Sequence, residues 1–242
     1  VPCVLSIYKF NKKRYCIKSK GVSRSLTRQV EVKICGNTRK EDVEHAIISG
    51  ADAIGFIVGF PSTPRNLDFD KAEQLMKDIP KSIERVAVTN EDDKYLLYKI
   101  AEKLPITAIQ LIGHGSYPQE IREISSDIQL IKVIHVEPET LIQSASNFSK
   151  DYDTILLDTK TKDIPGGTGL THDWSLSRKA VTIIHPTPVI LAGGLTPNNV
   201  EEAVRIVKPY YVDISSGVES ASGIKDHNKV ETFIKRAKGV KI

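Results

Sequence analysis

The chain has 242 residues, 40% apolar and 26% charged, which is the balance of an ordinary globular protein long enough for one sizeable core. No run approaches the roughly 18 consecutive apolar residues of a membrane-spanning helix, and three cysteines (Cys3, Cys16, Cys35) are too few and too scattered for a disulfide framework or a zinc knuckle, so a reducing cytoplasm is the expected setting. The net charge of +4 is uneven: residues 1–30 carry eight lysines and arginines and no acid, which leaves −4 for residues 31–242 and gives a nucleic-acid role little support.

Residues 1–29 read as a basic N-terminal extension. Three readings fit it: an inert extension or a misplaced start, an acid-poor organelle transit peptide, or a patch for an anionic partner. From Val30 onward, short β-branched runs alternate with longer stretches of helical spacing, eight times over. The pattern predicts strands at 31–35, 52–58, 84–89, 107–111, 129–134, 153–157, 188–191 and 211–215. Helices are expected near 39–49, 68–78, 92–103, 117–125, 137–147, 173–184, 197–207 and 227–238. Thr38 with Glu41 three residues on reads as a capping box, and Thr196 before Pro197 reads as a second helix start. The strands are short, apolar and rarely alternating, as strands covered on both faces are. Eight strand–helix units with no second composition regime predict an α/β fold, one (β/α)8 TIM barrel over residues 30–242. The runner-up is an open doubly wound sheet, which often carries a glycine-rich turn after its first strand; CGNTRK is not that turn.

In such a barrel the site lies where the strands end. The predicted exits are Cys35, Gly59, Asn90, Gly113, His135, Asp158, Gly193–Gly194 and Ser215–Ser216–Gly217. LAGGLTPNN after strand seven and DISSGVES after strand eight read together as an anion-binding pair. Glycines let main-chain N–H groups approach a phosphate, and a following helix start adds a favourable dipole. Either motif alone would fit a tight turn. Cys35 and Asp158, at the exits of strands one and six, are candidates for proton transfer in both directions. The plainer alternatives are a small buried hydrophobe for Cys35 and a loop or helix cap for Asp158. Lys33 shares the inward face with Cys35, and its charge is expected to favour the thiolate. The glycine-rich segment 159–172 reads as a water-excluding lid. The six histidines lack metal-ligand spacing, so no metal is expected.

The segments VKICGNTRKEDVEHAIISGADAIGFI, STPRNL, LLDTKTKDIPGGTGLTHDWSL, VILAGGLTPNNVEEAV and VDISSGVESASGIKDHNKV occur in the order found in the phosphoribosylanthranilate isomerases of tryptophan biosynthesis. The resemblance covers residues 31 to about 238, with KICG and DISSGVE its most specific parts. It implies a (β/α)8 barrel without cofactor or metal that performs an Amadori rearrangement. The implied partner is a small phosphosugar–anthranilate substrate, with no nucleic acid and no membrane, on a monomer or homodimer. It also implies Cys35 as general base, Asp158 as general acid and Arg65 as receiver of the anthranilate carboxylate. Asp213 corresponds to a buried acid near the substrate. Gly194, Ser216 and Gly217 fall in the family's phosphate loops, beside Gly193 and Ser215. Two departures stand out. QLIGHG replaces the usual QLHG, putting Ile112 at the histidine position and His114 two residues on, and VAVTN replaces VFVN while keeping Asn90.

The rival readings are sister barrels with similar phosphate loops. Indole-glycerol-phosphate synthase would need a lysine and glutamate set at strand exits, and the histidine-pathway ribotide isomerase an aspartate where this chain has Cys35. A non-catalytic phosphosugar-binding protein is the reading from another class, and intact Cys35, Asp158 and Arg65 weigh against it.

Overall fold

The strand register decides between the closed and the open architecture. The computed structural model describes residues 9–10, 13–14, 28–90, 93–113, 117–159 and 171–242. Eight parallel strands form the ring of the main sheet: β1 (Glu31–Ile34), β2 (Ala53–Val58), β3 (Glu84–Asn90), β4 (Ala108–Ile112), β5 (Gln129–His135), β6 (Thr154–Asp158), β7 (Val189–Leu191) and β8 (Tyr211–Ile214), with a two-residue parallel strand, Asn66–Leu67, added beside the end of β2. Their order is sequential from β2 to β8, and β1 pairs with both ends. Lys33 stands opposite Asp213 on one side and Ala53 on the other. The sheet therefore closes into a (β/α)8 barrel, and the open-sheet alternative falls. Each predicted strand lies within a residue or so of the observed one.

Strand alternation splits the apolar residues into two cores. Outward-facing Val32, Ile34, Ile54, Phe56, Ile109, Leu111, Ile155, Leu157 and Val212 pack beneath the helices. Inward-facing Cys35, Ala53, Val86, Val88, Ala108, Ile131, Val133, Leu156, Ile190 and Tyr211 fill the barrel. Both faces are buried, which is why the strands lack a polar side in the sequence.

The helices are α1 (Lys40–Ile48), α2 (Phe69–Met76), α3 (Lys94–Lys103), α4 (Pro118–Ile124), α5 (Leu141–Phe148), α6 (Trp174–Ile183), α7 (Val200–Val207) and α8 (His227–Gly239). Aspartates cap four of them. Asp68, Asp93, Asp173 and Asp226 accept the N–H of Lys71, Leu96, Ser175 and Lys229. The two caps expected from sequence are corrected. Arg39, not Thr38, precedes α1 and makes no side-chain cap, and the Thr38 hydroxyl donates instead to Gly223 O at 2.7 Å. Thr196 and Pro197 form a turn before α7, which starts only at Val200.

At the strand-start end, Arg28 and Ile242 exchange both main-chain hydrogen bonds, and the Arg28 guanidinium donates to Pro209 O at 2.8 Å. The two described pieces of the extension pair antiparallel, Lys9 with Arg14 and Phe10 with Lys13. The rest of residues 1–27, His114, and residues 160–170 of the expected lid lie outside the described residues. Among the described residues no helix is long and apolar enough to cross a membrane.

Candidate active site

Cys35 sits one residue past β1, where its N–H still donates to Ile214 O at 2.8 Å. The side chain points into the barrel over Gly55. A β-carbon on residue 55 would stand 2.7 Å from Cys35 Sγ and 3.1 Å from Lys33 Cε, so glycine makes the space both side chains occupy. Fully buried Asn37 fixes the turn. Its amide nitrogen donates to Ile34 O at 2.8 Å and Gly55 O at 3.2 Å, tying the β1 and β2 exits together. Below Cys35, Lys33 Nζ lies 3.0 Å from Asp213 Oδ1 and donates to Gln110 Oε1 at 2.9 Å. Asp158 ends β6 on the inward face, in register with His135 of β5.

These groups form one electrostatic cluster. Burial pushes the Cys35 thiol above its ordinary pKa and Asp213 adds to the shift, while Lys33 and Lys225 oppose it. Burial also raises the Asp158 carboxyl, again with Asp213 adding and with His135, the Thr159 N–H and Lys33 opposing. Burial works against the Lys33 ammonium as well, but Asp213 and Cys35 outweigh it and its pKa is raised. The expectation that Lys33 favours the thiolate is right in sign and insufficient in size.

Two anion-friendly ends flank this cluster. Gly193 and Gly194 turn the chain after β7 with φ of 83° and 67°. Asn199 frames the turn, accepting the Thr196 N–H at 2.8 Å and donating to Gly194 O at 3.0 Å. After β8, Ser216–Val218 form a single 3-10 turn pressed against the β7 loop. A β-carbon on Gly217 would fall 2.1 Å from Leu195 O. Among the described residues, no acceptor takes the N–H of Gly194, Ser216 or Gly217, and the Ser215 hydroxyl is buried without a partner. At the other end, Arg65 is held by Glu219, with Nε to Oε1 at 2.8 Å and Nη2 to Oε2 at 2.5 Å. Arg65 Cδ and Ser215 Oγ both crowd Gly36, the residue after Cys35. The arrangement offers a buried thiol and a half-buried carboxyl for proton transfer, with main-chain donors on one side and a braced guanidinium on the other.

A family model described as N-(5'phosphoribosyl)anthranilate (PRA) isomerase matches residues 32–236 of this chain. The chain belongs to that family. It is 39% identical over 214 residues to N-(5'-phosphoribosyl)anthranilate isomerase 2 of Methanosarcina mazei, covering 86% of this chain and 94% of the relative. The crystal structure of the PRA isomerase from Thermotoga maritima superimposes with a TM-score of 0.76 at 38% identity, covering 87% of this chain and all of the other. A PRA isomerase solved in complex with reduced 1-(o-carboxyphenylamino)-1-deoxyribulose 5-phosphate aligns at 36% identity with a TM-score of 0.71, over 87% of this chain and 100% of that one.

Within this PRA isomerase fold, every site residue expected from the sequence lies at the strand-exit end. Cys35, Arg65, Asp213 and Ser215 gather on the β1–β8 side, and Asp158, Gly193, Gly194, Ser216 and Gly217 line the β6–β8 side. Sequence reasoning missed Gly55, Asn37, Gln110, Glu219 and Lys225. Glu219 lies in the quoted DISSGVES motif and Asn37 in CGN, so both carried a signal. Lys225 lies in the quoted segment VDISSGVESASGIKDHNKV, but only the folded chain sets it against Glu219. Ile112, at the position of the family's loop-four histidine, faces inward and packs against the barrel-interior apolar cluster.

Proposed function

We propose that this PRA isomerase converts N-(5-phosphoribosyl)anthranilate to 1-(2-carboxyphenylamino)-1-deoxyribulose 5-phosphate with Asp158 as general acid and Cys35 as general base. The observation that carries the assignment is a half-buried carboxyl and a buried thiol, at the ends of strands far apart in sequence, whose charges Lys33 and Asp213 both act on. Asp158 gives its proton to the ribose ring oxygen as the C1–O bond breaks and the anthranilate nitrogen lone pair forms the Schiff base. A carboxyl whose pKa is raised by burial keeps that proton available. The Cys35 thiolate then takes the C2 proton, and the electrons flow through C1 to the nitrogen to give an enolamine. Tautomerisation places a proton on C1 and leaves the ketone at C2. Oxidation of C2 balances reduction of C1, so no external redox partner enters.

The substrate phosphate is assigned to the N–H groups of the Gly193–Gly194 and Ser215–Gly217 loops. Its carboxylate is assigned to the free face of Arg65, whose Nη1 has no partner among the described residues. Asp213 holds Lys33 in place beneath the reacting atoms. A thiol base also suits a compartment that keeps cysteine reduced. Arg65→Lys tests the carboxylate assignment, because lysine cannot serve Glu219 and a carboxylate through one planar fork. KM for PRA should rise about tenfold, equivalent to losing one charge-assisted hydrogen bond, with the fold intact by circular dichroism. An unchanged KM removes Arg65 from the site.

A further inference from the structure

A bidentate Arg65–Glu219 pair is by itself neutral, which is a poor receptor for an anion. A second cation changes that balance. Lys225, with a fully buried side chain, donates from Nζ to Glu219 Oε1 at 3.0 Å and to Ser215 O at 3.2 Å. Two cations share one carboxylate, leaving the cluster one positive charge in surplus. The same ammonium holds the carbonyl of the peptide whose N–H belongs to Ser216, directing that N–H away from Lys225. We infer that Lys225 is a positioning residue for both ends of the cleft, supplying through Glu219 the surplus charge by which Arg65 receives a carboxylate, and through Ser215 O the orientation of the phosphate loop.

The surroundings hold Lys225 to this task. It lies in a short antiparallel pair, Glu219–Ala221 with Ile224–Lys225, in which Glu219 and Lys225 are register partners. Its own N–H donates to Asp42 Oδ2 at 3.1 Å, and Asp42 Oδ1 is met by His227 Nε2 at 3.0 Å. Thr38 pins the turn of the pair through Gly223 O. The hairpin is thus fastened to α1 and α8 independently of the cleft. Burial works against both charges: Arg65 and Lys225 together hold the Glu219 carboxyl below the ordinary range, so it stays ionised, whereas burial lowers the Lys225 ammonium, with Arg65 adding to the shift and Glu219 opposing it. The price of burying three charges is tolerable only while all are paired. A lysine kept buried in an ion cluster beside the catalytic thiol is therefore best explained by what it does for the anions outside it.

The inference rests on the assignment of Arg65 and the glycine loops as the anion-binding ends, and the test separates the two. Competitive inhibition by inorganic phosphate and by anthranilate would be measured on the wild type, Arg65→Lys, Lys225→Met, and the double variant Lys225→Met/Glu219→Gln. The single Lys225→Met should weaken both inhibitors on the order of tenfold, the effect of one unit charge acting through a partly screened site. The double variant restores the surplus on Arg65, so anthranilate inhibition should recover while phosphate inhibition stays weak, its Ser215 anchor still missing. A merely structural lysine predicts that the double variant is no better than the single toward either probe, and that result overturns the inference. Unchanged inhibition by both probes in Lys225→Met overturns it too. If anthranilate inhibition is indifferent to Arg65→Lys, the carboxylate assignment fails; a loss of phosphate inhibition confined to the Lys225 variants then still supports the loop half of the inference.

Discussion

Cys35 and Asp158 are shifted upward by the same force, loss of water, and this has a definite kinetic consequence. In the proposed mechanism the reacting form needs a thiolate beside a neutral carboxyl. With the thiol the weaker acid, that form is the minority tautomer of the singly protonated pair. Activity therefore rises with pH as the doubly protonated pair is lost, through the carboxyl's pKa, and falls through the thiol's as the last proton leaves. Raised values push both limbs of the profile to higher pH than free side chains would give. Lys33 opposes both shifts, and Asp213, the acid it holds, adds to both. Lys33→Met removes the opposing charge and leaves Asp213 unpaired. Both limbs of the kcat/KM profile should move further upward and the neutral-pH rate should fall. Limbs that stay in place would mean the two shifts are not coupled through Lys33. From the sequence, strand alternation placed Lys33 beside Cys35. Alternation carries no information about desolvation, so the net direction of the thiol's shift was not legible.

At the level of elements, the two loops after β7 and β8 behave as one unit because they touch through main chain. Gly217 is where they meet, and a side chain there would collide with Leu195 O, an atom that cannot swing aside. Gly217→Ala should force the 3-10 turn Ser216–Val218 away from Gly193–Gly194. Losing one charge-assisted N–H contact costs about 1.5 kcal/mol, roughly tenfold in KM, with kcat reduced far less because the thiol and carboxyl sit on other strands. Steady-state kinetics on the variant checks this, and an unchanged KM would remove the β8 loop from phosphate binding. Both loops were legible as glycine-rich strand exits. The helix starts beside them were less so. Thr38 and Thr196 have the chemistry of caps, but the distant Gly223 O takes the Thr38 hydroxyl, and the Thr196 hydroxyl accepts the Asn198 N–H in a local turn framed by Asn199. Local pattern reads the competitors for a backbone donor poorly when one of them lies some 185 residues away.

At the scale of the whole molecule, closure of β1 onto β2 and β8 converts a linear alternation into a ring whose exits share one mouth. That the exits would converge followed from counting eight units, which is why Cys35 and Asp158 could be named together as candidates for proton transfer. What convergence would bring beside them could not. The Arg65–Glu219–Lys225 cluster joins the loop after β2 to a hairpin after β8, and no periodicity connects those segments. Ring closure also explains why chemistry and binding are separable in this barrel. The groups assigned to proton transfer stand at the ends of β1 and β6, whereas the anion contacts are assigned to the loops after β2, β7 and β8.

The division of labour between Cys35 and Asp158 is most directly tested in single turnover with each removed, alongside binding of the reduced product analogue. Cys35→Ser leaves a far weaker acid with little conjugate base at neutral pH, and the rate should fall on the order of 10²-fold or more. Asp158→Asn removes the proton that opens the ring, so conversion should fail before the Schiff base accumulates. Both variants should bind the analogue as the wild type does. Near-normal turnover by folded Cys35→Ser would contradict the account, because no other group described at the β1 exit can take the C2 proton.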